Sequence, residues 1–404
     1  MLKVAISQRG MAALFTLFAP MLPTPVANTG RLWLLRFGLY ELIRPKQHAT
    51  DWVWIMDHTI QLGPWKCLII LGVRLSDWAP DYGPLEHEDM ALLNLTPMES
   101  SSGEKVEEQM RATLEQTGEP REILTDGGSD LIRGFQLFSK DRPRIALIRD
   151  IKHKGATLLK HNLEADPRWA RFVTQSNQTK LQVTQTSLAF LNPPSLKRKA
   201  RYMNLDTLVR WGRDALAFLD CPQAVSGEPL DYKGLEKKLG WLREYREAME
   251  EWSELLALVE TAVGYVRQKG FHLQAAEELR SELTPLAAST VGQEMQKALV
   301  EFVGEQSAYA GTAERLVGSS EVIESVIGKY KRLQSTHSQG GTTGMILSVG
   351  AIVREKTSET IREALTGVTT HAVLEWCARH LGTTLQAQRR LAFSGNKNEI
   401  QTTA

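Results

Sequence analysis

Two apolar runs joined by one short turn constrain this chain more than any other feature. The first, WVWIM at residues 52–56, is followed by the polar Asp57, His58 and Thr59; the second, CLIILGVRL at residues 67–75, is aliphatic and β-branched without alternation. A strand that lacks polar alternation is buried on both faces, so it belongs to a sheet covered on each side. The turn LGPWK makes the two runs neighbours in that sheet. A carboxylate closing the first run needs a reason, because charge at the edge of a core is costly unless something compensates it.

Further strands follow. MALLNLTPM predicts a third, after which Ser101 stands three residues before Glu104 in capping-box spacing, and Val106, Met110 and Leu114 repeat at four-residue intervals. That helix crosses over the sheet. REILTDGGSD and RPRIALIRDIKHK then predict two more strands, the first ending on Asp126 and two glycines. The order is strand, strand, strand, helix, strand, helix, strand. Ahead of it, residues 11–43 read as two short helices, the second carrying Trp33, Leu34, Leu35, Leu39 and Leu42 at helical spacing, a pattern compatible with a helix-turn-helix remnant.

Strand signals vanish over residues 156–312, where charged and apolar residues alternate at helical spacing, as in Leu235, Leu239, Leu242, Met249, Trp252, Leu255 and Leu256. This stretch reads as an all-helical insertion. Within it PPSLKRKARY places Lys197, Arg198, Lys199 and Arg201 in five positions, either a solvated face or a phosphate-contacting patch. Trp211, Trp241 and Trp252 read most simply as its core, with stacking on a flipped base as the other reading.

A chain of 404 residues, 42% hydrophobic and 24% charged, can build more than one core. Its formal charge of +1 neither demands nor excludes nucleic acid. Cys67, Cys221 and Cys377 have no CxxC spacing, which excludes a disulfide framework or zinc knuckle and fits a reducing cytoplasm. MAALFTLFAPMLP has the length of a signal-peptide apolar region, but Pro20, Pro23 and the missing small-x-small site argue against secretion. No apolar run reaches the ~20 residues of a membrane span.

The helix predicted at SSEVIESVIGKYKRLQS has two faces. Val322, Ile323, Val326, Ile327, Tyr330 and Leu333 form the buried one, and Glu321, Glu324, Gly328 and Lys331 the opposite stripe. Ser320 is a candidate N-cap, and Glu321 is explained by the helix dipole alone. Gly328 costs roughly 1 kcal/mol relative to Ala, so the stripe faces either close helix packing or close approach by something bulky such as a nucleic-acid backbone. Asp57, Asp126 and Glu324 together could hold two divalent cations about 4 Å apart, which would clamp the attacking and leaving oxygens at phosphorus. Hard oxygen donors favour magnesium or manganese.

Over residues 48 to about 350 the sequence resembles the DDE transposases of bacterial insertion sequences, on the strength of IMDHT, ILTDGGSD, RDIKHKGATLLK and SSEVIESVIGKYK. The resemblance implies a ribonuclease-H-like α/β fold, shared with retroviral integrases: a mixed five-stranded sheet with flanking helices, interrupted by a large helical insertion. It implies Asp57, Asp126 and Glu324 as a metal-binding triad for two Mg2+ or Mn2+ ions. Lys331, six intervening residues after Glu324, would contact DNA phosphate. Transposon ends and target DNA are the implied partners, bound by a homodimer or higher oligomer in the cytoplasm at the nucleoid. Where some branches place tyrosine and arginine upstream of the glutamate, this chain has Val317 and Ser320. The segment before the first strand is short for an end-recognition domain, which raises the expectation of a truncated copy.

Neighbouring groups keep two readings each. Asp130 starts a helix or is itself the second ligand. Asp150 and His153 follow the last strand, His153 as a phosphate or water contact or in a structural hydrogen bond. His58 points to the other sheet face if its strand continues, and HSQGGTTGM at 337–345 is a glycine loop without the ending of a phosphate cradle. Three other functions compete: a ribonuclease-H-like nuclease that cuts without joining, a catalytically silent transposase-derived DNA-binding protein, and a helical scaffold.

Overall fold

The computed structural model describes residues 6–18, 23–60, 65–79, 82–195, 205–222, 230–335, 343–383 and 385–394. Lys197, Arg198, Lys199 and Arg201, most of the glycine loop and the polar tail after Ser394 lie outside the described residues. The chain divides into two compact units, one formed by residues up to Asp150 and from Val317 onward, the other by Ile151–Leu316.

The first unit is built on five strands, β1 Trp52–Ile60, β2 Lys66–Arg74, β3 Ala91–Met98, β4 Glu122–Thr125 and β5 Ala146–Arg149, in the order β3-β2-β1-β4-β5. The pairs β1–β2 and β2–β3 are antiparallel, whereas β1–β4 and β4–β5 are parallel. This is the ribonuclease-H-like topology. Its helices are α1 Gln8–Phe18, α2 Ala27–Ile43, α3 Leu75–Trp78, α4 Gly103–Thr117 and α5 Ser129–Phe138, joined after the second unit by α13 Glu321–Ser335, α14 Ser348–Val353, α15 Ser358–Gly367, α16 Thr370–His380 and α17 Leu385–Ser394. The second unit holds α6 Ile151–Ala165, α7 Pro167–Val183, α8 Leu205–Asp220, α9 Tyr232–Leu239, α10 Arg246–Lys269, α11 Ala275–Leu283 and α12 Thr290–Ser307.

Strand alternation sorts the faces of β1. Trp52, Trp54 and Met56 enter a core with Val106 and Met110 of α4 and Leu131 and Phe138 of α5. Trp54 and Phe138 lie with ring centroids 5.8 Å apart. Val53, Ile55 and Asp57 therefore face the other way, toward the side where α13 packs on β1 and where α2 and α14 pack on β3. Helix α2 also rests on α14 and α15, so the N-terminal helices belong to the sheet unit. A Cβ on Gly38 of α2 would stand 1.7 Å from the Leu347 carbonyl oxygen, which is why the crossing needs glycine.

Two local readings change in the structure. The cap of α4 is Ser102, whose hydroxyl accepts from Lys105 N, whereas the Ser101 hydroxyl is turned to His58 Nε2 at 3.1 Å. Asp57 does not end its strand. β1 runs on to Ile60 because β2 continues to pair with it, and only the parallel β1–β4 ladder stops at Met56 opposite Thr125.

In the helical unit Phe172 is ringed by Trp169, Trp211, Trp241, Tyr245 and Trp252, with centroids 5.3–6.2 Å from its own. The indole N–H groups of Trp211, Trp241 and Trp252 donate to Leu191 O, Thr179 Oγ1 and Asp166 Oδ2. Trp252 is buried core, and Trp211 and Trp241 are half-buried against the same cluster.

Candidate active site

Asp57 and Asp126 occupy equivalent places, each one residue beyond the last pair of the parallel ladder. Asp126 opens the turn from β4 to α5; its Oδ1 accepts from Gly128 N at 2.9 Å, and Gly127 adopts φ +93°, which an L-residue takes only with strain. The Asp57 Oδ1 accepts from His58 N at 2.6 Å.

The electrostatics tie four residues together. Burial pushes the Asp57 carboxyl up to about 7, the negative charges of Asp126 and Glu324 push in the same direction, and the His58 amide and Lys331 ammonium oppose them. Glu324 is half-buried in the first turn of α13, and Lys331 is exposed two turns further on the same stripe. The opposite face of α13 buries Val322, Ile323, Val326, Ile327 and Tyr330, with Gln334 in the last turn. Among the described residues no atom lies within 4 Å of where a Cβ on Gly328 would stand, so close packing against them does not explain it. Ser325, beside Glu324, meets His87 Nε2 at 2.9 Å, and burial followed by the charges of Lys329 and Lys356 holds that imidazole low.

Asp130 stands beside His58 and Lys66, a set that also feels the charge of Asp126 through His58. Its Oδ2 lies 3.8 Å from His58 Nδ1 and 3.9 Å from Lys66 Nζ, on the α5 side of the sheet. Burial works against its charge, but the Ser101 hydroxyl and the neighbouring His58 and Lys66 together hold the carboxyl below its usual range. The charges that act most on Asp57 are those of Asp126, Glu324 and Lys331.

Asp150 ends β5 as Asp126 ends β4, yet it is committed to structure. It is 2% exposed, and its Oδ2 accepts from both the amide and the hydroxyl of Ser320 at 2.5 Å. Glu122, fully buried at the start of β4, accepts from Val317 N at 3.0 Å. Val317 and Ser320, the two positions where the sequence departs from the transposase resemblance, are thus the two whose amides buried carboxylates hold. Sequence reasoning noticed Asp150 but not Glu122, since a glutamate opening a short strand carries no local sign of a partner 195 residues away. His153 is exposed on α6 of the helical unit.

Among the described residues, no three His, Cys, Asp or Glu side chains stand as a ready-made metal-binding group. Asp57, Asp126 and Glu324 share a field without forming a closed ligand shell. In chemistry the donor set fits a hard divalent cation: all three donors are carboxylates, and the proton affinity they raise on Asp57 is the attraction a cation would meet.

Fold and site together define a ribonuclease-H-like α/β domain, carrying acidic residues beside its central parallel pair and interrupted by a helical unit. No protein-family model matches this sequence, and no curated protein matches it. Among solved structures it is similar to the Drosophila P element transposase strand transfer complex, with a TM-score of 0.44 and 8% sequence identity, over 88% of this chain and 93% of that one. No helix among the described residues is long and apolar enough to cross a membrane.

Proposed function

We propose that this protein is a DDE-type DNA transposase. Asp57, Asp126 and Glu324 would hold two Mg2+ or Mn2+ ions, which supply charge neutralisation and water activation at phosphorus. Water cuts the transposon end, forming a bond to phosphorus and releasing the 3′ oxygen as a hydroxyl. That hydroxyl then attacks a target phosphodiester in line and displaces the target's own 3′ oxygen. Lys331 would pair with a DNA phosphate, and His153, Lys197, Arg198, Lys199 and Arg201 would add phosphate contacts from the helical unit. The observation that supports this reading is the raised Asp57 carboxyl, lifted first by burial and further by one carboxylate from the adjacent strand end and one from α13.

The test is a gel assay with labelled DNA carrying the sequences that flank the reading frame, where inverted repeats are expected. Asp57→Asn, Asp126→Asn and Glu324→Gln each keep side-chain size while removing a charged ligand. Each should lower metal-dependent cleavage and strand transfer by at least about 100-fold, because metal-supplied stabilisation is worth several kcal/mol. Binding of the ends should persist. Cleavage without joining by the wild-type chain would point to a nuclease instead. Normal cleavage by Glu324→Gln, with loss in Glu321→Gln, would place the third ligand one turn earlier.

A further inference from the structure

We propose that Asp150 is a positioning residue, which sets where Glu324 stands relative to Asp126. A carboxylate this buried is costly unless it is hydrogen-bonded, and Asp150 is bonded on both sides. Its amide donates to Thr125 O at 3.2 Å, and Thr125 directly precedes Asp126. Its Oδ2 takes both donors of Ser320. The Ser320 carbonyl in turn accepts from Ile323 N at 3.1 Å and Glu324 N at 3.4 Å, the first turn of α13. One chain of bonds therefore runs from the residue before Asp126, through Asp150 and Ser320, to the backbone of Glu324.

Geometry makes this more than an ordinary cap. Asp150 is the last residue of the sheet unit before the chain departs into the helical unit, and Val317 is the first after it returns. The returning segment is gripped at both ends, Val317 by Glu122 and Ser320 by Asp150. Glu122 and Asp150 accept from the returning segment itself, at Val317 and Ser320, so the clasp is distinct from the proposed ligand set of Asp57, Asp126 and Glu324. Its role is to bring a glutamate encoded far away in sequence to a strand end with a defined offset. Outer-shell bonds of this kind fix the orientation of metal ligands.

The inference rests on the transposase reading only for what Glu324 does; the clasp can be tested without it. Full-length Ser320→Ala loses the hydroxyl bond and keeps the amide bond. Asp150→Ala loses both, and Asp150→Asn keeps an acceptor oxygen. Hydrogen exchange of metal-free protein should be about tenfold faster over residues 321–327 in Ser320→Ala, and faster still in Asp150→Ala, with β1–β3 unchanged. Asp150→Asn should recover most of the protection. Mn2+ titration of the same proteins should show roughly 10–100-fold weaker binding. Cleavage should fall in kcat, with KM for DNA unaltered. Should Asp150→Ala not fold, Ser320→Ala decides. A folded Ser320→Ala protein with wild-type exchange over 321–327 and wild-type Mn2+ affinity overturns the proposal. Wild-type protein that binds no Mn2+ would sink the transposase reading instead, and the exchange result would still decide the clasp.

Discussion

Asp57 and Asp126 each stand one residue past the pair Met56–Thr125, where β1 and β4 part, and burial together with the charge of Asp126 raises the carboxyl of Asp57. The folded chain thus holds a proton on Asp57 from its ordinary value of 3.8 up to about 7, where the unfolded chain has released it. Folded protein binds more protons than unfolded across that window, so this group lowers stability as pH rises through it.

Asp57→Asn removes that dependence. In chelator, the melting temperature of the variant relative to wild type should rise by on the order of a few °C between pH 4 and pH 7 and level off above. Millimolar Mg2+ or Mn2+ should raise the wild type above pH 7 and leave the variant unmoved. Differential scanning calorimetry across pH checks both. A pH-independent difference would show that Asp57 titrates normally.

Gly328 and Lys331 separate DNA placement from folding. With open space beside it, Gly328→Ala should stabilise free protein by about 1 kcal/mol in urea unfolding. If a nucleic-acid backbone passes over that stripe, the same methyl should weaken DNA binding. Lys331→Ala should flatten the plot of log affinity against log salt by about 0.9 while Mn2+ affinity holds. Wild-type DNA affinity in both variants would remove α13 from the DNA path.

Neutralising Lys197, Arg198, Lys199 and Arg201 together tests the helical unit. The salt slope should flatten by about 0.9 for every phosphate these side chains pair with, and catalysis on bound DNA should be retained. An unchanged slope returns the cluster to ordinary solvated surface.

Gly38→Ala probes how the N-terminal helices join the sheet unit. The new methyl meets the Leu347 backbone, which has no flexible side-chain end to yield, so α2 must shift off the 347–350 segment. The expected loss is about 1–3 kcal/mol or more, read from the urea midpoint. Full tolerance would mean that α2 is held loosely there.

Much of the sheet was legible in the sequence, because its signals are local. An unalternating run such as CLIILGVRL has little choice but a doubly covered strand, and β2 is buried from Cys67 to Val73. The face of α13 follows from the 3.6-residue period, which buries Val322, Ile323, Val326, Ile327 and Tyr330 whatever the helix packs against. Acidic residues after apolar runs marked Asp57, Asp126 and Asp150 alike.

Only the tertiary structure gave these aspartates and Asp130 their separate surroundings. Asp57 and Asp126 lie where the parallel ladder stops, Asp130 joins His58 and Lys66 across the sheet, and Asp150 is spent on Ser320. The sequence by itself determined which segments are strands and helices and which of their faces are apolar, since periodicity depends on neighbours a few residues apart. What β2 does to β1 beyond Met56, and which buried carboxylate receives the chain at Val317 and Ser320, depend on groups up to 195 residues away. Those contacts leave no local trace, because a buried hydrogen bond constrains the spatial partner and not the residues beside it in the chain.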